Sequence, residues 1–156
     1  MKWARVTAVL LAFCFVLSPV MVRAQMVASA PLMPVIPEAE VQDLINKYID
    51  RFKAMDHEKF MSLFSKEAVE NHMLPYKDMS DAYWKRFKET SQFLYHVKID
   101  GIKTFTKSAY AFGQYQIIQT LNESKETKIF KGRIQWVFVL EDGSLKIYRL
   151  NYGNEM

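Results

Sequence analysis

The sequence predicts an α+β domain in which helices cover one face of a curved, mainly antiparallel sheet. Two observations predict this fold class. Apolar residues between 38 and 54 recur at helical spacing, whereas from Phe93 onward aromatic and β-branched residues form long strand-like runs. The helical segments also precede most of the strands, which is the order of an α+β domain rather than of an alternating α/β sheet.

Three helices are predicted before the long strands. In the first, over 38–54, the apolar residues fall on one stripe at helical spacing: Val41, Leu44, Ile45, Tyr48, Ile49 and Phe52. Asp56 is the predicted N-cap of a short second helix, and Ser80 with Asp81 is predicted to begin a third that ends near Ser91. Between the second and third helices, residues 67–74 predict a short strand that the following proline ends.

The last two strands are predicted to form a hairpin at Asp142-Gly143, because a two-residue turn favours residues that tolerate positive φ. This turn places Trp136 opposite Arg149 and puts Asn151 on the same face, which we expect to be the buried one. A buried guanidinium needs a partner. An internal ion pair, a head group that reaches solvent and a ligand anchor at the bottom of a cavity all remain open.

The opposite face of the same hairpin carries an apolar strip that is too large to leave exposed on a monomer. We expect this strip to be a contact between two copies of the chain. Its members are Val137, Val139, Tyr148, Leu150 and Tyr152.

Residues 1–24 are predicted to be a signal peptide. Lys2 and Arg5 precede an apolar run of about 17 residues, and residues 22–24 fit a small-residue cleavage pattern. Residues 25–37, which include three prolines, are predicted to be a linker, and residues 38–156 the folded domain. Two alternatives remain open: an uncleaved segment that tethers the protein to a membrane, and a lipoprotein anchored at Cys14.

Cleavage would leave a nearly neutral protein without cysteine. The chain has 21 basic and 17 acidic residues, and removing the three basic residues of 1–24 leaves 18 against 17, so the net charge falls from +4 to +1. This balance does not indicate nucleic-acid binding. Because Cys14 is the only cysteine, the mature chain would lack disulfides and a cysteine nucleophile. We expect an exported protein, periplasmic or secreted, that is free of the membrane after cleavage.

Residues 38–152 resemble the nuclear transport factor 2-like superfamily, which includes SnoaL-like polyketide cyclase domains and ketosteroid isomerases. The resemblance lies in two segments, VQDLINKYIDRFKAMDHEKFMSLFSKEAV and FKGRIQWVFVLEDGSLKIYRLNY. It implies a cone-shaped, curved antiparallel sheet with three N-terminal helices packed on its concave face and a cavity between them. It also implies frequent dimerisation through the outer surface of the sheet. Members include isomerases, cyclases, ligand binders and scaffolds, so the resemblance fixes no activity.

The catalytic pattern of a ketosteroid isomerase is not evident. Such enzymes use an aspartate base and an oxyanion hole of a tyrosine and a protonated aspartate, whereas strands 109–121 and 127–140 contain no Asp or Glu. Glu70 and His72 are two residues apart, so on one strand face they could act as an acid–base pair. A solvated strand edge is the commoner explanation of such a pair. The three histidines show no metal-ligand spacing, and no metal or cofactor is expected.

The sequence therefore favours an exported, non-enzymatic domain that binds a small, partly apolar ligand in the cone cavity or acts as a homodimer module. The predicted pocket residues are Trp136, Arg149, Asn151, Tyr48 and Trp84. The alternative is a SnoaL-like cyclase or isomerase in which His72 and Glu70 are the acid–base pair.

Overall fold

The computed structural model describes residues 35–154, so the predicted signal peptide and nearly all of the linker lie outside the described residues. The helices are α1 (Glu38–Lys53), α2 (His57–Met61) and α3 (Tyr76–Lys88). The strands are β1 (Phe64–Glu70), β2 (Leu74–Pro75), β3 (Thr90–Thr104), β4 (Ser108–Leu121), β5 (Thr127–Glu141) and β6 (Ser144–Asn154). None of the helices in this part of the chain is long and apolar enough to cross a membrane.

The six strands form one curved, open sheet in the order β2-β1-β6-β5-β4-β3. Neighbouring strands run antiparallel except for β1 and β6, which are parallel. The α+β class, the curved sheet and the helices against it agree with the prediction. Strand β1 follows α1 and α2 in the chain. It pairs in parallel with β6, which is the last strand.

Helix α1 buries the stripe that its spacing predicts, since Val41, Ile45, Tyr48 and Phe52 are all inside. The predicted N-cap of α2 is also confirmed, because the Asp56 carboxylate accepts a hydrogen bond of 3.2 Å from the Lys59 backbone amide. These two features place the side chains of Tyr48 and Phe52 against the concave face of the sheet.

Helix α3 begins at Tyr76, about one turn before the predicted start at Ser80. The residue before the helix is Pro75, which has an extended ψ of 164°. Proline has a fixed φ that suits a helix start, and it lacks the amide that would be left without a partner there. The hydroxyl of Ser80 instead lies 3.2 Å from the His57 ring.

Strands β5 and β6 are joined by the predicted two-residue turn, in which Asp142 and Gly143 have φ values of 49° and 75°. The regular pairing continues to Phe138 and Ile147, but Val137 then pairs with Arg149. Tyr148 is therefore an extra residue in a β-bulge. Beyond it, every side chain of β6 points to the face opposite to the predicted one.

A second bulge, in β3, helps to curve the sheet. The pairing of β3 with β4 shifts between Ile99 and Gly101, as the Asp-Gly pair in the sequence suggests. The facing residue in β4 is Gly113, and a Cβ at this position would lie 2.2 Å from the carbonyl oxygen of Lys98. Only glycine permits this close approach, which bends both strands around the helices.

Candidate functional site

A cavity of about 120 Å³ lies between helices α1 and α3 and the concave face of the sheet. Helix α1 supplies Tyr48 and Phe52, and α3 supplies Tyr83 and Arg86. Strands β3 to β6 supply the rest of the wall: Phe93, Tyr95, Tyr115, Ile117, Gln119, Phe130, Ile134 and Tyr152. For comparison, an engineered apolar cavity of about 150 Å³ in another protein binds benzene. The available space is therefore that of a single ring.

The wall is rigid because its rings pack against one another. Tyr48 and Tyr95 meet edge to face with ring centroids 5.9 Å apart, and the Tyr95 hydroxyl donates a 3.4 Å hydrogen bond to the Tyr48 hydroxyl. The Phe52 ring lies 5.1 Å from the Tyr95 ring. Such edge-to-face contacts add to the stabilisation that burial already provides. The wall also carries the hydroxyls of five tyrosines, so a bound ring would meet both apolar and polar surface.

Glu70 is the last residue of β1 and lies directly behind this wall. It is only 4% exposed, and the Tyr152 hydroxyl donates a hydrogen bond to its Oε1. Its other oxygen, Oε2, has no hydrogen-bond partner among residues 35–154. Glu70 itself does not line the cavity, whereas Tyr152 does. Tyr152 thus connects the buried carboxyl to the cavity.

Burial sets the ionisation of these groups. It raises the pKa of Glu70, because desolvation penalises the carboxylate more than the hydroxyls of Tyr152 and Tyr83 and the charge of Arg86 favour it. Burial also raises the pKa of the phenols of Tyr48, Tyr83, Tyr95 and Tyr152. These hydroxyls consequently remain protonated donors at neutral pH.

The structure separates the predicted pocket residues. Tyr48 lines the cavity. Trp136 is fully buried next to Tyr48, and the centroids of their two rings are 5.9 Å apart. Trp136 is not part of the cavity wall. The prediction for Arg149 is wrong, because the bulge turns this side chain to the outer face, where it is exposed. For the same reason Asn151 pairs with the exposed Gln135 on the outer face.

Trp84 is also misplaced in the prediction. The buried side of α3 consists of Met79, Tyr83 and Phe87, so Trp84 points away from the cavity and is 50% exposed. Its ring is covered instead by the Lys88 ammonium group, 3.9 Å from the ring centroid.

The predicted acid–base pair does not form on one strand face. Strand β1 ends at Glu70, and Asn71 and His72 have left-handed φ values of 48° and 61° in a turn. His72 is exposed, whereas Glu70 is buried. The prediction fails because it assumes that the strand alternation continues through a segment that in fact turns.

The predicted dimer strip divides between two faces. Leu150 and Tyr152 lie beyond the bulge and point inward, opposite Trp136 and Ile134. Their assignment to the outer face is therefore wrong. Val137, Val139 and Tyr148 remain on the outer face and are partly exposed.

Several residues of the cavity wall were not predicted from the sequence. Arg86 was not among the predicted pocket residues, yet it is half-buried and lines the cavity. A signal was present, because Tyr83, Arg86 and Phe87 are three and four residues apart and so share a helix face. Tyr95 and Tyr115 gave no comparable signal, since their position depends on how the sheet curves. Within the described chain, no group of three or more His, Cys, Asp or Glu side chains could hold a metal ion.

The sequence matches no protein-family model, and no curated protein is significantly similar to it. Solved structures are nevertheless similar in fold. A nuclear transport factor 2-like superfamily protein from Salmonella enterica is 18% identical with a TM-score of 0.66, over 76% of this chain and 91% of that one. A candidate dehydratase of the same family from Streptomyces avermitilis has a TM-score of 0.68 at 10% identity, over 76% of this chain and 96% of that one.

A candidate scytalone dehydratase from Novosphingobium aromaticivorans has a TM-score of 0.65 at 13% identity, over 76% of this chain and 84% of that one. At such identities the similarity concerns the fold and not the activity. It agrees with the resemblance carried by the first helix and the closing hairpin. The chain therefore has the nuclear transport factor 2-like fold.

Proposed function

We propose that the protein binds a small, partly apolar molecule, about the size of one six-membered ring, in the cavity between its helices and its sheet. The observation that carries this proposal is a space of about 120 Å³ walled by packed aromatic rings and phenol hydroxyls. Binding pockets combine mostly apolar walls with a few placed polar groups in this way.

A cavity filled only with water is the competing explanation. At roughly 30 Å³ per molecule, the space would hold about four waters. Most of the wall around them is aromatic or aliphatic, including Phe93, Ile117 and Ile134. Water against such surface is poorly hydrogen-bonded, so replacing it with an apolar ring is favourable. Ligand binding therefore suits this wall better than permanent hydration.

Binding is also better supported than catalysis. Among residues 35–154, no carboxylate or imidazole lines the cavity. A general base must lie within hydrogen-bond reach of the proton that it removes, directly or through one bridging group. Glu70 meets that condition only through the hydroxyl of Tyr152.

The test is a titration of the protein with benzyl alcohol, in which binding is monitored by the changes in the protein's NMR chemical shifts. In Ile117→Trp the added ring occupies the cavity, so we expect binding to be lost. Ile129→Trp is the matched control, because Ile129 lies on the neighbouring strand and is 62% exposed on the outer face. Equal binding by both variants, or none by the unmodified protein, would exclude the cavity as the site.

A second candidate function, proton transfer, is favoured by the raised pKa of Glu70 and its hydrogen bond from Tyr152. In this mechanism the phenol proton of Tyr152 moves to the Glu70 carboxylate while the phenol oxygen takes a proton from carbon next to a carbonyl, which leaves an enolate. Deuterium uptake by cyclohexanone in heavy water, followed by NMR, is the test. Exchange that Glu70→Gln abolishes supports it, and exchange at the rate of buffer alone contradicts it.

We also propose that the chain is exported, on the basis of the charged, apolar and small-residue pattern of residues 1–24. Cell fractionation with mass measurement is the test. A protein outside the cytoplasm that begins near Gln25 supports cleavage, and a protein of the full 156 residues contradicts it.

A further inference from the structure

Arg86 places a cation in the wall of the cavity. It follows Tyr83 by nearly one turn of α3, and both side chains line the same space. Its charge opposes the effect of burial on the pKa of four surrounding groups, Glu70, Tyr83, Tyr115 and Tyr152. The guanidinium therefore contributes positive charge to the lining of the cavity.

No carboxylate among residues 35–154 forms an ion pair with this cation. The five ion pairs within residues 35–154 do not include Arg86. The charge of Arg86 lowers the pKa of Glu70, but the Glu70 carboxyl lies behind the wall and accepts its hydrogen bond from Tyr152. A half-buried guanidinium has lost part of its hydration, and leaving it unpaired is costly.

The phenols of the wall do not neutralise this charge. The phenols of Tyr48, Tyr83, Tyr95 and Tyr152 hold their protons because burial disfavours the phenolate. The Tyr95 and Tyr152 hydroxyls already donate to Tyr48 and Glu70, so an anionic ligand finds its match in Arg86, whereas a cation meets a like charge. Guanidinium binds a planar carboxylate through two parallel hydrogen bonds, which suits a narrow cavity.

Building on the proposed function, we propose that the ligand is a small monocyclic carboxylate whose carboxylate group pairs with Arg86. Its ring lies among the aromatic side chains deeper in the cavity, near Phe93 and Ile134. Arg86 is thus the residue that selects for charge, and the rings select for size.

The test is a calorimetric comparison of benzoate, benzyl alcohol and benzylammonium, which share a ring and differ in charge. We expect benzoate to bind at least about tenfold more tightly than benzyl alcohol, and benzylammonium to bind most weakly. In Arg86→Gln this preference disappears while benzyl alcohol still binds. Arg86→Lys keeps part of it, because the charge remains without the planar fork.

Arg133→Gln is the control, since Arg133 is exposed on the outer face of β5 and should leave all three affinities unchanged. Equal affinity for benzoate and benzyl alcohol in the unmodified protein would refute the role of Arg86 and leave the cavity as a binding site. Failure of all three compounds to bind would refute the proposed function as well.

Discussion

Replacing Tyr152 with phenylalanine tests the buried contact behind the cavity wall. The substitution keeps the ring and removes the hydroxyl that donates to Oε1 of Glu70. Glu70 is 4% exposed, and its second oxygen already lacks a partner among the described residues. The variant would therefore contain a buried carboxylate that has lost the hydrogen bond from Tyr152, while the Tyr83 hydroxyl and the charge of Arg86 still favour its charged form.

The magnitude follows from the charge on the acceptor. A hydrogen bond to an ionised group contributes about 1.5–3 kcal/mol, and one between neutral groups about 0.5–1.5 kcal/mol. We expect Tyr152→Phe to lower the free energy of unfolding by about 1.5–3 kcal/mol at pH 8. For a domain of this size that corresponds to a fall of about 6–12 °C in Tm. At low pH, where Glu70 is protonated, the loss should be smaller.

The sign of the pH dependence follows from the pKa of Glu70. Burial raises this pKa above the unfolded value of 4.5, so the folded protein holds the proton more tightly. The contribution of Glu70 to stability is then greatest below pH 4.5 and falls as the pH rises through its folded pKa. The Tyr152 hydroxyl favours the Glu70 carboxylate, so its loss raises the pKa of Glu70 in the folded protein further. The loss of stability with rising pH is then larger.

Urea unfolding at several pH values, monitored by circular dichroism, measures the free energy of unfolding and its pH dependence. Tyr148→Phe is the control, because Tyr148 lies on the outer face, and its hydroxyl makes no hydrogen bond within residues 35–154. In a Glu70→Gln background the pH dependence of the Tyr152→Phe effect should vanish. An effect below about 0.5 kcal/mol, or one that is the same at every pH, would refute the coupling.

Three further predictions test the geometry of the sheet. Gly113→Ala should lower stability by about 3 kcal/mol or more, because its Cβ would lie 2.2 Å from a backbone oxygen; a neutral result in urea unfolding would contradict the close approach. Leu150→Ala should cost about 2–5 kcal/mol and Arg149→Ala less than about 0.5 kcal/mol, and the reverse order would refute the inward turn of β6. If copies pair through the outer face, sedimentation should show a dimer that Val139→Glu dissociates, whereas a monomeric unmodified protein would contradict this.

Local signals predicted much of this fold. The spacing of apolar residues in α1 and the Asp142-Gly143 turn are determined by nearby residues, so both were found correctly. The cavity between α1 and the sheet follows from the fold resemblance. The start of α3 was predicted wrongly, because Ser80 is a common N-cap residue, whereas the helix begins directly after Pro75.

The site was harder to predict because it depends on an irregularity. One extra residue, Tyr148, reverses the faces of Arg149 and Leu150, and nothing in the local sequence requires a bulge there. The guanidinium predicted for the cavity was that of Arg149 on β6, whereas the arginine that lines the cavity is Arg86 on α3. The carboxyl of Glu70 was noticed, but its partner is Tyr152, which is remote in sequence, and not His72.

The most direct test of the central claim is where a small ring binds. Intermolecular nuclear Overhauser effects between the ring protons of benzoate and the isoleucine methyl groups distinguish the two sides of the sheet. Ile117 and Ile134 line the cavity, whereas Ile129 lies on the outer face. We predict contacts to Ile117 and Ile134 and none to Ile129. Contacts to Ile129 alone, or none to any of the three at saturating ligand, would contradict the account.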